Sequence, residues 1–185
     1  ISNNGTNWFN DFTIDKGSND GIKENCNVLA GSGLAGIVTE VGPDYARVRS
    51  IIDDSSNVSS MVLTTKDNFN VGGSLKSMNQ DKVLPFTELR DEDDKVKVGD
   101  PVVTSYVSDQ YQEGILIGYI ASIEKNANNL TKSGTITPVV DFQHLREVLV
   151  ITTLKDTGEK ELSSQKASDT QAETQDNTET QKSQE

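Results

Sequence analysis

The chain reads Gly33-Leu-Ala-Gly36-Ile-Val-Thr-Glu-Val41 in its first part and Gly114-Ile-Leu-Ile-Gly118-Tyr-Ile-Ala-Ser-Ile123 further on. Each run is a glycine, a few apolar residues, a second glycine, and a segment that closes on Val or Ile. Short apolar runs bounded by glycine are typical of β-strands rather than of helices of ordinary length. The repetition predicts two similar small barrels in one chain.

Short apolar runs bounded by turn residues fill the rest of the chain as far as Leu154. The predicted strands are Trp8–Ile14, Asn27–Ala30, Gly36–Val41, Ala46–Ile52, Val58–Thr65, Ser74–Met78, Lys82–Leu89, Pro101–Tyr106, Gly114–Ile123, Thr135–Phe142 and Glu147–Thr153. Helical periodicity is weak, although Thr87–Asp91 and Asp141–Arg146 could each form one helical turn. Many short strands at intervals of about 8–12 residues indicate an all-β fold with very little helix.

Changes in composition divide the chain into four parts. Residues 1–7 are polar and are expected to form a flexible lead. Residues 8–75 are expected to form a first β-barrel lobe, with room for strands that return from the C-terminal end, and residues 76–154 a second. Residues 155–185 contain one leucine and two alanines as their only apolar side chains. Because such a segment cannot bury enough surface to offset the entropy of ordering, we expect a disordered polar, acidic tail.

Charge and composition exclude several classes of function. The net charge of −12 argues against a nucleic-acid partner, because phosphate binding requires clustered Lys and Arg. The run Asp91-Glu-Asp-Asp94 lacks the alternating ligands and central glycine of a calcium loop, so it is expected to be a solvated loop. Neither a metal site nor a cofactor is predicted. Cys26 is the only cysteine and is expected to be a core residue.

No catalytic arrangement can be read from the sequence. His144 is the only histidine. A catalytic triad in the chain order Ser, Asp, His could formally use Ser105, Asp141 and His144. The motif Gly-x-Ser-x-Gly is absent, however, and only two residues separate Asp141 from His144. We therefore expect a chain that is not an enzyme, with His144 in a surface or capping role.

The segment from Val98 to Tyr111 combines a turn, a strand and a loop. Gly99-Asp100 favours a tight turn, because glycine adopts positive φ and Asp can bond its own backbone. Thr104 and Ser105 end the following strand and can bond nearby backbone groups. Tyr106 and Tyr111 flank a mostly polar loop, which makes both tyrosines candidates for binding a partner.

Taken in order, these motifs resemble the extracytoplasmic region of the bacterial rod-shape-determining protein MreC family, from about Phe12 to Thr153. The motif residues that carry the resemblance are Gly17, Gly21, Gly33, Gly36, Gly99, Asp100, Thr104, Ser105, Gly114 and Gly118. The family usually has Gly where Tyr106 stands, and Pro-x-Gly where this chain has Gln112-Glu113-Gly114. Both departures fall in one loop.

The resemblance implies two small β-barrels outside the cytoplasmic membrane, anchored by an N-terminal transmembrane helix that precedes this fragment. It implies a non-enzymatic scaffold that organises and activates a peptidoglycan transpeptidase during cell-wall elongation. The implied partners are a class B penicillin-binding transpeptidase, an MreD-type membrane protein, and further copies in a dimer or filament. A secreted carbohydrate- or cell-wall-binding β module is the alternative, although one Trp and four Tyr offer few aromatic platforms.

Overall fold

The computed structural model describes residues 1–3, 8–91, 93–127 and 130–155, and most of the regular secondary structure in these ranges is β-strand. The strands are β1 (Ser2–Asn3), β2 (Asp11–Ile14), β3 (Asn27–Ala30), β4 (Gly33–Val41), β5 (Ala46–Ser50), β6 (Asn57–Val62), β7 (Asn68–Gly72), β8 (Leu84–Leu89), β9 (Pro101–Thr104), β10 (Leu116–Lys125), β11 (Lys132–Pro138) and β12 (Leu149–Ile151). A single α-helix in these ranges, α1, spans Leu75–Asp81, and a short 3-10 helix spans Ser18–Asp20. The all-β prediction is confirmed.

Two antiparallel sheets contain all of these strands. The first is a six-stranded sheet with the order β1-β2-β5-β4-β3-β12, so that β1 and β12 are its edges. The second is a closed barrel with the order β10-β11-β8-β7-β6-β9. β12 pairs with β3 through Val150 and Val28, which brings a strand from the C-terminal end into the first sheet.

The sheets divide the chain earlier than the expected division after residue 75. β6 and β7, which lie within residues 57–72, pair with β9 and β8 of the closed barrel rather than with the first sheet. The reason is long-range pairing, since Ser60 lies opposite Thr104 and Asn70 opposite Thr87. Strand alternation within the sequence carries no information about these partners.

The repeated glycine pattern corresponds to a repeated piece of geometry. A Cβ atom on Gly36 would lie 2.2 Å from the carbonyl oxygen of Arg49 in β5, and one on Gly118 would lie 2.2 Å from that of Thr137 in β11. Beside them, the carbonyls of Ala35 and Ile117 accept hydrogen bonds from Ile51 and Val139. The two sheets therefore use the same close crossing of neighbouring strands.

The segment after Gly73 is helical, where a strand at Ser74–Met78 was expected. Ser74 lies in extended conformation before α1, and its hydroxyl accepts a hydrogen bond from the Ser77 amide. This N-cap stabilises the helix start, because it satisfies an amide that has no partner within the helix. The preceding strand β7 was missed because asparagine is uncommon in strands, although Phe69 and Val71 alternate with it.

The start of the chain contributes a strand, where a flexible lead was expected. Ser2 and Asn3 pair with Thr13 and Phe12 of β2. Residues 4–7 and 156–185 lie outside the described residues, and with them the expected disorder of the tail. The core consists of buried side chains from both sheets, including Phe12, Phe86 and Cys26.

Candidate functional site

The loop of residues 105–115 connects β9 to β10 and is closed at its base by Thr104. The Thr104 hydroxyl donates to the carbonyl of Gln112 and accepts from the amide of Ile115 at 2.8 Å. The backbone of Thr104 also bonds Ile115 and Gly114. One fully buried side chain at the start of the loop bonds the backbone at its end. The two ends of the loop are therefore held together.

Ser105 fastens the start of the same loop to the barrel wall. Its hydroxyl bonds the side chain of Asn68, and its amide donates to the carbonyl of Ser59 at 2.9 Å. The same hydroxyl accepts from the amide of Val107 at 3.2 Å. The Thr104 and Ser105 side chains therefore bond the backbone of this loop, and Ser105 also attaches the loop to the barrel wall.

Tyr111 points into the protein, which argues against its selection, with Tyr106, as a candidate for binding a partner. It is 4% exposed and belongs to the hydrophobic core. Burial raises the pKa of its phenol to about 12, with a small opposing effect of Arg49. The turn that brings it inward is closed by Ser108, whose hydroxyl accepts from the amides of Gln110 and Tyr111.

Asn27 ties this loop to the first sheet and was not singled out in the sequence. Its side-chain oxygen accepts from the amide of Gln112 at 2.7 Å, and its nitrogen donates to the carbonyl of Gln110 at 2.9 Å. Asn27 is 2% exposed. The only signal in the sequence is an asparagine in an apolar strand, and that signal does not identify a partner 83 residues away.

Tyr106 and Val107 are the outward part of the loop, and we call them the loop tip. They are 57% and 58% exposed, although the loop that carries them is held at Thr104, Ser105 and Asn27. Two adjacent apolar side chains on an anchored loop can contact another protein with little loss of conformational entropy. The loop tip is therefore the candidate contact site of the barrel.

The motif glycines lie at tight turns or where another segment of the chain approaches closely. A Cβ atom on Gly17 would lie 2.3 Å from the carbonyl oxygen of Gly42, where the Gly17–Gly21 segment docks on the turn before β5. Gly99 has a φ of 94° in the turn that Asp100 closes by accepting from the Lys97 amide. Positive φ also occurs at Gly21 and Gly114, and close approaches at Gly33, Gly36 and Gly118.

The acidic segment near Asp91 is partly buried, where a solvated loop was expected. Asp91 accepts from the amides of Lys95 and Val96 and pairs with Lys132 at 2.6 Å, with both side chains at most 9% exposed. Burial opposes ionisation of Asp91, but Lys132 and the two amides outweigh it and lower its pKa. Asp94 also contacts Lys132 and Lys125, which lower its pKa to about 2.

His144 lies on the surface and bonds Asp141 at 2.7 Å. That bond, with the amide of Gln143, lowers the pKa of Asp141. The Ser105 hydroxyl bonds Asn68 and Val107 instead, so no Ser-His-Asp hydrogen-bond chain forms among these three residues. Within the described ranges, no group of acidic, His or Cys side chains could hold a metal ion.

No helix among the described residues is long and apolar enough to cross a membrane.

Comparison with known sequences identifies a family. The family model of the rod shape-determining protein MreC, barrel core, matches residues 1–152. The cell shape-determining protein MreC of Listeria monocytogenes is 35% identical over 153 residues, which is 82% of this chain and 51% of that protein. The MreC of Geobacillus stearothermophilus is 27% identical over 158 residues, covering 82% of this chain and 54% of the relative. The chain thus spans about half the length of these relatives.

Solved structures show the same fold. An MreC structure from Listeria monocytogenes matches with a TM-score of 0.71 and 36% identity, over 84% of this chain and 72% of that one. A chain of the complex between penicillin-binding protein PBP2 and MreC from Helicobacter pylori matches with a TM-score of 0.62 and 17% identity, over 81% and 91%. Family model, sequence relatives and fold agree, and the chain belongs to the MreC family of rod shape-determining proteins.

Proposed function

We propose that this chain is a non-enzymatic, extracytoplasmic scaffold of the cell-wall elongation machinery, which organises and activates a class B penicillin-binding transpeptidase. An N-terminal transmembrane helix outside this fragment would anchor it, beside an MreD-type membrane protein. Support comes from family membership and from the Helicobacter pylori complex of PBP2 with MreC.

The exposed loop tip is the observation that carries this proposal. Interfaces obtain most of their binding energy from a few residues, and aromatic side chains are prominent among them. Tyr106 supplies such a side chain, and Val107 extends its apolar surface. Since partners on one membrane meet at high effective concentration, a small contact suffices.

The test compares the loop tip with a second exposed tyrosine. Binding of the purified class B transpeptidase is measured by biolayer interferometry for wild type, Tyr106→Ala/Val107→Ser and Tyr45→Ala. Tyr45 is 44% exposed and precedes β5 in the other sheet, so it serves as the matched control. We expect the double variant to bind at least about tenfold more weakly, and Tyr45→Ala to bind as wild type does. Equal binding by the double variant excludes the loop tip as the contact.

Self-association is proposed through the edge of the first sheet. Among the described residues, β12 has a strand partner only on its β3 side, and Leu149 on it is 69% exposed. An edge strand presents unpaired backbone groups to which a second copy can add a strand.

Replacing Val150 by Pro would remove one backbone donor from β12, and Leu149→Lys would place a charge on its exposed face. Sedimentation velocity at increasing concentration measures the outcome. We expect Leu149→Lys to shift the distribution toward monomer, with Leu63→Lys as control, because Leu63 is 43% exposed and lies after β6 of the barrel. An unchanged distribution for both β12 variants would rule out this edge.

A further inference from the structure

We infer that the outer face of β6, β7 and β8 is a binding site for a neutral glycan chain. The site is a polar trough formed by Ser59, Asn68, Asn70, Thr87, Glu88 and Arg90. It consists of two neighbouring hollows of about 420 Å³ each, which share Asn70 and Glu88. This inference concerns a different ligand from the transpeptidase proposed above, although Val107 of the loop tip borders one of the two hollows.

Strand register places the trough side chains in one row. Ser59 lies opposite Asn70, and Asn70 lies opposite Thr87 across the three strands. Their neighbours Val58, Val71 and Phe86 are buried, so the row points away from the barrel core. The result is a surface of hydroxyl and amide groups that runs across the strands.

A β-bulge brings a charged side chain into this row. Lys132 pairs with Leu89 and Gly134 with Phe86, so that Thr87 and Glu88 together face Ser133. Glu88 has a φ of 65°, a conformation that favours glycine. Bulges redirect side chains beside functional sites, and this one adds a carboxylate to the row of hydroxyl and amide groups.

The lining has hydrogen-bonding groups that the protein does not use. Among the described residues, the Asn68 oxygen bonds Ser105 and the Asn70 nitrogen donates to Glu88 at 3.4 Å. These bonds leave the Asn68 nitrogen, the Asn70 oxygen and the Arg90 guanidinium for a ligand. Both donors and acceptors are therefore presented together.

The chemistry of the trough selects the class of ligand. An added peptide strand is excluded here, because β7 already pairs with β6 and β8 inside a closed barrel. A polyanion is disfavoured, since one carboxylate and one guanidinium balance each other in a chain of net charge −12. A polar lining bordered by Val107 also disfavours an apolar ligand. An uncharged chain rich in hydroxyl and acetamido groups matches both the groups and the open shape.

The probe is the β-1,4-linked tetramer of N-acetylglucosamine, titrated into the labelled protein and followed by NMR. We expect shifts at the backbone amides of Glu88 and Arg90 and at the side-chain amides of Asn68 and Asn70. Glu88→Gly removes the carboxylate and relieves the positive φ, so the variant should keep or raise its melting temperature. Its affinity for the tetramer should fall about tenfold, as expected for one lost hydrogen bond to a charged group.

Lys66→Gly is the matched control. Lys66 also has a φ of 65°, is exposed, and lies outside the trough in the turn after β6. Lys66→Gly should likewise relieve an unfavourable positive φ, and it should bind the tetramer with wild-type affinity. The inference is overturned if the tetramer causes no shifts in the trough, if Glu88→Gly binds as wild type does, or if a polar peptide of similar length shifts the trough while the tetramer does not.

Discussion

The amide of Gln112 donates to the side-chain oxygen of Asn27 at 2.7 Å, and this hydrogen bond joins the barrel loop to β3 of the first sheet. Asn27 also holds the carbonyl of Gln110, so one side chain spans both backbone groups around Tyr111. The loop that carries the loop tip is therefore held, around Tyr111, by a residue of the other sheet.

Replacing Asn27 by Ala should lower the free energy of unfolding by about 1–3 kcal/mol, because a buried side chain and the two part-buried backbone groups beside Tyr111 lose their hydrogen bonds. Urea denaturation measures the change. Asn19→Ala is the control, since Asn19 bonds Asp44 on the surface at 2.9 Å and should cost little. Equal stability of the two variants would show that water replaces Asn27 without loss.

Replacing Lys132 by Met should lower the free energy of unfolding by about 3–5 kcal/mol, because Asp91 is then buried without its cation. The double variant Asp91→Asn/Lys132→Met should recover part of the loss. Lys125→Met is the control, because its exposed pair with Asp94 is expected to contribute no more than about 1 kcal/mol. A larger loss for Lys125→Met than for Lys132→Met would contradict this account.

The same carboxylates predict how stability depends on pH. The pKa of Asp91 is lowered in the folded state, and that of Asp94 is lowered to about 2. Their contribution is present above the unfolded-state pKa of about 4 and is lost as the pH falls toward 2, because the unfolded chain binds protons first. Melting temperatures between pH 7 and pH 2.5 should fall less steeply for the double variant Asp91→Asn/Lys132→Met than for wild type. If the melting temperatures of wild type and the double variant fall in parallel with pH, these groups do not contribute to the loss of stability in acid.

Replacing Gly17 by Ala should destabilise the protein by about 1–3 kcal/mol, because the new methyl group would lie against the carbonyl of Gly42. Gly72→Ala is the control, as a methyl group there would have no atom within 4 Å and the φ of Gly72 is not positive. Thermal unfolding distinguishes them. If both variants melt alike, the segment at Gly17 moves aside without cost.

The two tyrosines of the barrel loop should respond in opposite ways. Tyr111→Ala removes a buried ring and should cost about 3–5 kcal/mol, whereas Tyr106→Ala should leave unfolding nearly unchanged. Denaturant titration of both variants measures this difference. Similar losses for both would mean that Tyr106 packs in solution, and the loop tip would lose its role as a contact.

Local features of the sequence determined most of the strands and some of their bounds. Asn27–Ala30 was predicted with the bounds found, because the turns beside short apolar runs are set by adjacent residues. The glycine pattern around Gly36 and Gly118 indicated two similar units, and the ordered motifs indicated the family. Side-chain alternation and turn chemistry act over a few residues, so they can be read directly.

Tertiary structure alone decided which strands meet and which side chains are buried. Residues 57–72 join the barrel through pairing with Thr104 and Thr87, and Asp91 meets Lys132 from 41 positions away. Tyr111 turns inward because Asn27 and Ser108 hold the backbone around it, while Tyr106 remains outside. Such contacts depend on the closure of the whole sheet, and the free energy of that closure is shared among residues far apart in the chain.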